Sequence, residues 1–64
     1  MEEKNKVKIQ EYIENIEQLG ADARYEFDYE NYNKLRVKLE SIEWWSRKAQ
    51  KVLDKIEKEQ KNNE

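Results

Sequence analysis

Side chains able to carry covalent chemistry are scarce in this 64-residue chain. It contains neither histidine nor cysteine, which removes the usual general base, the thiolate nucleophile and the ligands of an ordinary zinc site. Ser41 and Ser46 are the only serines, and no general base accompanies Ser46 in the pattern. Carboxylate pairs arise unavoidably among 15 acidic residues and indicate a solvated face. The sequence therefore predicts that the protein is not an enzyme.

One acidic stretch has a limited likeness to a calcium-binding loop. Asp28, Glu30 and Asn31 place oxygen ligands close together, but the longer run of ligands around a central glycine is missing. The chain has a single glycine, so it contains no glycine-rich loop that could hold a phosphate group. We therefore predict no metal and no cofactor.

Two adjacent tryptophans are the most specific functional signal in the second half of the chain. Neighbouring residues on a helix point about 100° apart, so we expect Trp45 at the edge of an apolar helix face and Trp44 directed away from it. Tryptophan and arginine are typical of the residues that dominate protein interfaces. In the alternative interpretation Trp44 is buried in the core of a homodimer. The candidate partner-binding patch comprises Val37, Trp44, Trp45, Arg47 and Lys48.

A second candidate surface combines aromatic and acidic side chains. It can dock on a basic groove or imitate the charge of a nucleic acid, but we favour a role in capping the end of a helical hairpin. Its aromatic members are Tyr25, Phe27, Tyr29 and Tyr32, interleaved with Glu26, Asp28 and Glu30.

Basic residues follow one side of the second half. On a helical wheel Arg47, Lys48, Lys51 and Lys55 lie together, with Trp44 among them. Such a strip can follow a phosphate backbone while an aromatic ring stacks on a base. Binding of RNA or DNA by a hairpin dimer is therefore the alternative function.

Helical elements must position these side chains. Apolar residues at helical spacing predict a first helix over residues 2–19, ended by a glycine cap at Gly20. Residues 22–31 are expected to form a short helix or turn, with a strand as the alternative because their aromatic residues alternate with acids. A long helix is predicted over residues 33–60, and residues 61–64 are expected to be a frayed tail.

An apolar stripe on the long helix is the clearest structural signal. Its residues recur at alternating steps of three and four, interrupted only by Ser46, and this pattern predicts a surface that lies against another helix. The long helix outruns the first one, so we expect a second copy to cover part of the stripe. The stripe comprises Leu35, Leu39, Ile42, Ala49, Leu53 and Ile56, and the matching face of the first helix comprises Ile9, Tyr12, Ile13, Ile16 and Leu19.

Size and charge complete the prediction of the fold. One domain of this length is marginally stable without a staple. Residues 1–31 carry nine acidic and four basic side chains, whereas residues 32–64 carry six acidic and nine basic ones. We expect an all-α antiparallel hairpin that forms a single domain over residues 1–64 and dimerises into a helical bundle. No apolar run approaches a membrane span and no signal peptide is visible, so we expect a cytoplasmic protein that has no membrane partner.

The function predicted from these features is stoichiometric docking on a larger protein as an inhibitor or regulator. Small size and high charge density suit the accessory proteins of phages and mobile elements, including those that block host defence systems. Besides nucleic-acid binding, a structural coiled-coil subunit of a larger assembly is a further alternative.

Overall fold

The computed structural model describes residues 3–62 and contains two helices joined by a three-residue turn. Helix α1 comprises Glu3–Asp28 and helix α2 comprises Tyr32–Asn62. The all-α helical hairpin predicted from the sequence is confirmed. Of the predicted frayed tail, residues 61–62 belong to α2, while residues 63–64 lie outside the described residues, as does the predicted helix start at residue 2.

Two contacts fix the register of the hairpin. The ring centroids of Tyr12 and Trp45 lie 5.5 Å apart, and Asp22 Oδ2 lies 3.9 Å from Lys38 Nζ. The contact residue with the higher number in α1 therefore meets the one with the lower number in α2, so the helices are antiparallel. Residues at the same level of the hairpin have numbers that add to about 57–60.

Helix α1 does not end at Gly20. The glycine has no positive φ, and the helix continues through it for two more turns. The helical spacing of inward-facing residues also continues, because Leu19 is followed four residues later by Ala23, which is buried. Burial of the added turns outweighs a cost of about 1 kcal/mol for glycine inside a helix. The predicted break between a first helix over residues 2–19 and a short helix or turn over residues 22–31 is therefore wrong, whereas residues 22–28 are helical, as was favoured over a strand.

A Schellman turn ends α1 at Asp28, nine residues after the predicted end at residue 19. The Asn31 N–H donates to the Glu26 carbonyl oxygen at 2.8 Å, and the Glu30 N–H donates to the Phe27 carbonyl oxygen at 3.1 Å. Glu30 adopts the left-handed conformation that closes this motif, with φ 58°, at a position usually held by glycine. The Asn31 carbonyl oxygen then accepts from the Leu35 N–H at 2.9 Å, and this bond begins α2.

The surface of α2 that packs on α1 is rotated from the predicted stripe. Leu39 and Leu53, predicted to face the partner helix, are 52% and 44% exposed, and Ile13 on α1 is 49% exposed. Residues one position earlier in α2 replace the two leucines in the contact between the helices. The α2 side chains turned toward α1 are Leu35, Lys38, Ile42, Trp45, Ala49, Val52 and Ile56.

The interior of the hairpin is thin. Among the side chains described, up to residue 59, only Ala23, Glu26 and Ile56 are buried, and no large side chain there is fully buried. Two helices side by side give each other one covered face, which leaves little apolar burial to offset the entropy of ordering the chain. A hairpin of this kind gains stability from any further surface that covers it.

Substituting alanine for Gly20 is expected to stabilise the hairpin. Gly20 lies inside α1, and a Cβ atom placed there meets nothing within 4 Å, so the change should add about 1 kcal/mol from helix propensity alone. For a domain of this size we expect a Tm about 4–8 °C higher, measured by circular dichroism at 222 nm. A lower Tm would contradict the prediction and indicate that a surface from outside the hairpin lies against Gly20.

Candidate protein-docking surface

Trp44 is an exposed aromatic residue that its neighbours hold in place. Its side chain is 52% exposed, and its ring packs edge-on against Trp45 with centroids 4.8 Å apart and planes at 87°. Trp45 in turn rests on Tyr12 of α1. Lys48 Nζ lies 4.6 Å from the centroid of the Trp44 ring, a cation–π geometry. The Trp44 ring is therefore held in its orientation by Lys48 and by Trp45, which itself packs on α1.

A groove lies at the turn end of the hairpin. It has a volume of about 630 Å³ and is shared by both helices. Tyr25 from α1 and Val37 from α2 line it together, and the ion pair between Asp22 and Lys38 forms part of the same wall. Tyr25 also packs against Tyr29, with ring centroids 4.7 Å apart. The groove therefore joins aromatic residues of α1 to the apolar outer surface of α2.

The groove and Trp44 belong to one side of the molecule. Val37 and Trp44 are seven residues apart, so they lie nearly in line, about two helical turns from each other. Both precede an inward-facing residue by one position, as Tyr25 precedes buried Glu26 in α1. Because the two helices are antiparallel, residues that come one position before an inward-facing residue lie on the same side of the hairpin in α1 and in α2. We call this side the aromatic face, made of Tyr25, Tyr29, Val37, Trp44 and Lys48.

The predicted partner-binding patch is brought together only in part. Val37, Trp44 and Lys48 share the aromatic face. Trp45 is half-buried between the helices, so it supports Trp44 and contributes little surface of its own. Arg47 lies farther round α2, and its Nη2 atom donates to Glu43 Oε2 at 3.0 Å.

The predicted second surface is divided between two sides of the hairpin. Tyr25 and Tyr29 lie on the aromatic face. Phe27 follows buried Glu26 by one position and therefore lies on the opposite side, and Tyr32 lines a different hollow, shared with Leu35 and Leu39. All four aromatic side chains are exposed, so they extend the outer surface and add little to the interior.

That opposite side carries exposed apolar side chains, three of which, Ile13, Leu39 and Leu53, were predicted to face the partner helix. Apart from Tyr32, these apolar residues each follow an inward-facing residue by one position: Ile13 follows Tyr12, and Leu39 follows Lys38. The sequence held a signal for this surface: Val52 and Leu53 are both apolar but adjacent on α2, so they cannot both face one partner helix. We call this side the open face; its exposed apolar members are Ile13, Phe27, Tyr32, Leu39 and Leu53.

The basic strip lies on the outer surface of α2, and all four of its residues are exposed. Lys51 and Lys55 continue from Trp44 toward the C-terminal end of the helix. Arg47 is paired with an acid, as described above, and Lys48 lies over the tryptophan ring. The strip and the aromatic face therefore overlap at Lys48.

The remaining candidates for chemistry have ordinary structural surroundings. Ser46 accepts a hydrogen bond from Gln50 Nε2 at 3.1 Å on its own helix. Within the part of the chain that the structure describes, no group of three or more acidic side chains is placed to hold a metal ion. Neither helix, over those same residues, combines the length and apolar character needed to cross a membrane.

The chain matches no protein-family model, and neither curated proteins nor solved structures give a significant match.

Proposed function

We propose that this protein is a protein-binding module that docks stoichiometrically on a larger protein through its aromatic face. The observation that carries the proposal is the Trp44 ring, which is half exposed to water yet held by Trp45 and Lys48. Tryptophan is the residue most often found to dominate binding energy at interfaces. A ring already oriented in the free protein loses less conformational freedom on binding.

The surroundings of Trp44 define the chemistry of a suitable target. Val37 and Tyr25 extend the apolar area toward the turn, whereas Lys48, Lys51 and Lys55 place positive charge around and beyond the ring. A target would therefore offer a pocket for an indole ring beside acidic side chains. Charge complementarity of this kind speeds association and selects partners more than it adds affinity.

Regulation or inhibition is the mode of action that suits such a surface. A binding protein of this kind acts by occupying a surface of its target. The finer expectation, an accessory protein of a phage or mobile element directed against host defence, is supported by small size and charge density.

The test is capture of a partner by tagged protein from nuclease-treated lysate of its native cells. Wild type is compared with Trp44→Ala and with Val7→Ala, which removes a similarly exposed apolar side chain from α1. We expect one protein, bound in equimolar amount, that is retained by Val7→Ala and reduced at least about tenfold by Trp44→Ala, since loss of a dominant interface residue costs about 2 kcal/mol or more. Circular dichroism must show that Trp44→Ala keeps its helices.

Equal capture by wild type and Trp44→Ala would contradict docking through the aromatic face. Loss of helical structure in Trp44→Ala would show instead that its ring belongs to the core.

Nucleic-acid binding is the alternative outcome of the same experiment. If nucleic acid is recovered when the nuclease is omitted, the triple variant Lys48→Glu, Lys51→Glu and Lys55→Glu should abolish its recovery. Its affinity should also fall steeply with salt, because each neutralised phosphate releases counterions. Recovery of neither protein nor nucleic acid would leave a structural subunit as the remaining account.

A further inference from the structure

The side of the hairpin that carries the aromatic face becomes strongly basic beyond Trp44, toward the end away from the turn. Residues on this side each come one position before an inward-facing residue, such as Ile9 in α1 or Val52 in α2. Half-buried Asn5 and Glu59 extend the two inward-facing lines at the same spacing. We call the six exposed lysines that this rule places here the lysine patch: Lys4 and Lys8 on α1, and Lys48, Lys51, Lys55 and Lys58 on α2.

Charge is divided unequally between the two sides of this half of the hairpin. The same rule adds one acid, Glu11, to the side of the lysine patch, which therefore carries six basic residues and one acidic residue, net +5. Over the same levels the open face carries Lys6 and Glu57 and is neutral. Glu3 and Asp54 come two positions before an inward-facing residue, so they lie on the outermost surfaces of their helices.

The lysine patch is shared by both helices and exists only in the folded hairpin. Residues at one level have numbers that add to about 57–60, so Lys8 lies level with Lys51, and Lys4 with Lys55. Among the residues that the structure describes, none of the six lysines forms an ion pair. Like charges facing each other across two helices repel, and an anionic partner lying between them relieves this repulsion. The positive charge of the patch is therefore available to a partner.

The spacing of the lysines on α2 is that of a helix face. They recur at steps of three, four and three residues, from Lys48 to Lys58, and form a line about 15 Å long. Carboxylates on one face of another helix recur at the same steps. A helix laid along this line can therefore bring a carboxylate to each lysine, while Lys4 and Lys8 flank it from α1.

Two observations favour protein carboxylates over the phosphates of a nucleic acid. On the turn side of Trp44, the groove described above is lined by two acidic and two basic side chains, so a uniformly anionic backbone gains no attraction by continuing over it. In addition, Lys48 lies over the Trp44 ring, which restricts the stacking of a base on that ring. A protein helix can instead change from acidic to apolar along its length, as this side of the hairpin changes from basic to apolar.

We propose that the target presents an α-helix that lies along this side, between α1 and α2, as a third helix of the bundle. Its acidic end lies over the lysine patch, and its apolar end lies beside Trp44, Val37 and Tyr25. This inference rests on the proposed function and names the part of the target that makes the contact. The lysine patch speeds association and fixes the direction of the bound helix, because only one direction places its carboxylates over the lysines.

Lys8→Glu and Lys6→Glu are a matched pair of charge reversals that test this arrangement. Both residues are exposed lysines near the start of α1, but Lys8 belongs to the lysine patch and Lys6 lies on the open face. The captured partner should bind Lys6→Glu as it binds wild type. It should bind Lys8→Glu at least about fivefold more weakly, because the change replaces attraction with repulsion. Titration of the purified partner measures the difference, and circular dichroism checks that both variants are helical.

Carbodiimide crosslinking of the wild-type complex locates the carboxylates without relying on any variant. The reagent joins a lysine amine to a carboxylate in contact with it, and mass spectrometry identifies the linked residues. We expect Lys8, Lys51 and Lys55 to be joined to acidic residues three or four positions apart within one segment of the partner.

The outcomes separate this inference from the proposed function. Equal binding of the partner by wild type, Lys6→Glu and Lys8→Glu, with loss only in Trp44→Ala, would overturn the acidic helix and leave the proposed function intact. Crosslinks to acidic residues scattered over separate segments would also overturn it. Equal capture by Trp44→Ala, or capture of no protein, would reject the proposed function and this inference with it. Recovery of nucleic acid alone would assign the lysine patch to phosphates and reject the helix.

Discussion

Replacing Trp45 by alanine should lower the free energy of unfolding by about 3–5 kcal/mol, the range for large aromatic residues removed from packed positions. Trp45 contacts Tyr12 of α1 and Trp44 on its own helix. Its loss therefore removes packing contacts to both helices in the middle of the hairpin. A small domain has a stability of only about 3–5 kcal/mol. We therefore expect most molecules to be unfolded at 25 °C, with loss of the 222 nm signal.

The adjacent Trp44 provides the matched control for this prediction. It is the same residue type on the same helix, but it is 52% exposed and directed away from α1. Trp44→Ala should therefore lower the free energy of unfolding by less than about 1 kcal/mol. Urea titrations of both variants, followed by circular dichroism, measure the difference. Equal destabilisation by the two substitutions would contradict the division into an inner and an outer tryptophan.

A carboxylate at position 56 should have a comparably large effect at the other end of the hairpin. Ile56 is 7% exposed and is one of the two buried apolar side chains described. Ile56→Asp removes this burial and places a charge where water has little access, so we expect a loss of about 3 kcal/mol or more. The measured quantity is the Tm, which should fall by at least about 12 °C.

Val37→Asp is the control that separates the effect of burial from the general cost of placing aspartate in α2. It makes the same kind of change, from a β-branched apolar residue to a carboxylate, at a position that is 58% exposed. Its Tm should change by no more than a few degrees, the cost of helix propensity and weak surface contacts. A similar fall in both variants would mean that the ends of α1 and α2 do not pack together.

Much of the fold could be read from residue spacing. Apolar residues at steps of three and four predicted a helix in each half of the chain and an antiparallel hairpin, although a break was wrongly placed at Gly20. The outward direction of Trp44 also followed from helical geometry, because adjacent residues lie about 100° apart. Local periodicity is sufficient for such conclusions, since a side chain's position on a helix depends only on its place in the chain.

The boundary between the helices could not be read in the same way. Gly20 is a typical helix end by local propensity, while Glu30 is an unusual residue for the left-handed position that it occupies. The outcome depended on Ala23, whose apolar side chain is buried and draws α1 onward through the glycine. That energy comes from residues distant in sequence, and helix propensity carries no information about it.

The side of α2 that meets α1 was also beyond the reach of the sequence. The apolar stripe is too wide for one partner helix, and either Leu39 and Leu53 or the residues next to them could have faced inward. Trp45 resolves the choice because its ring packs on Tyr12, which turns α2 about its axis and leaves the two leucines half exposed. Periodicity predicts which residues share a face, but only packing between the two helices selects the part of that face that becomes buried.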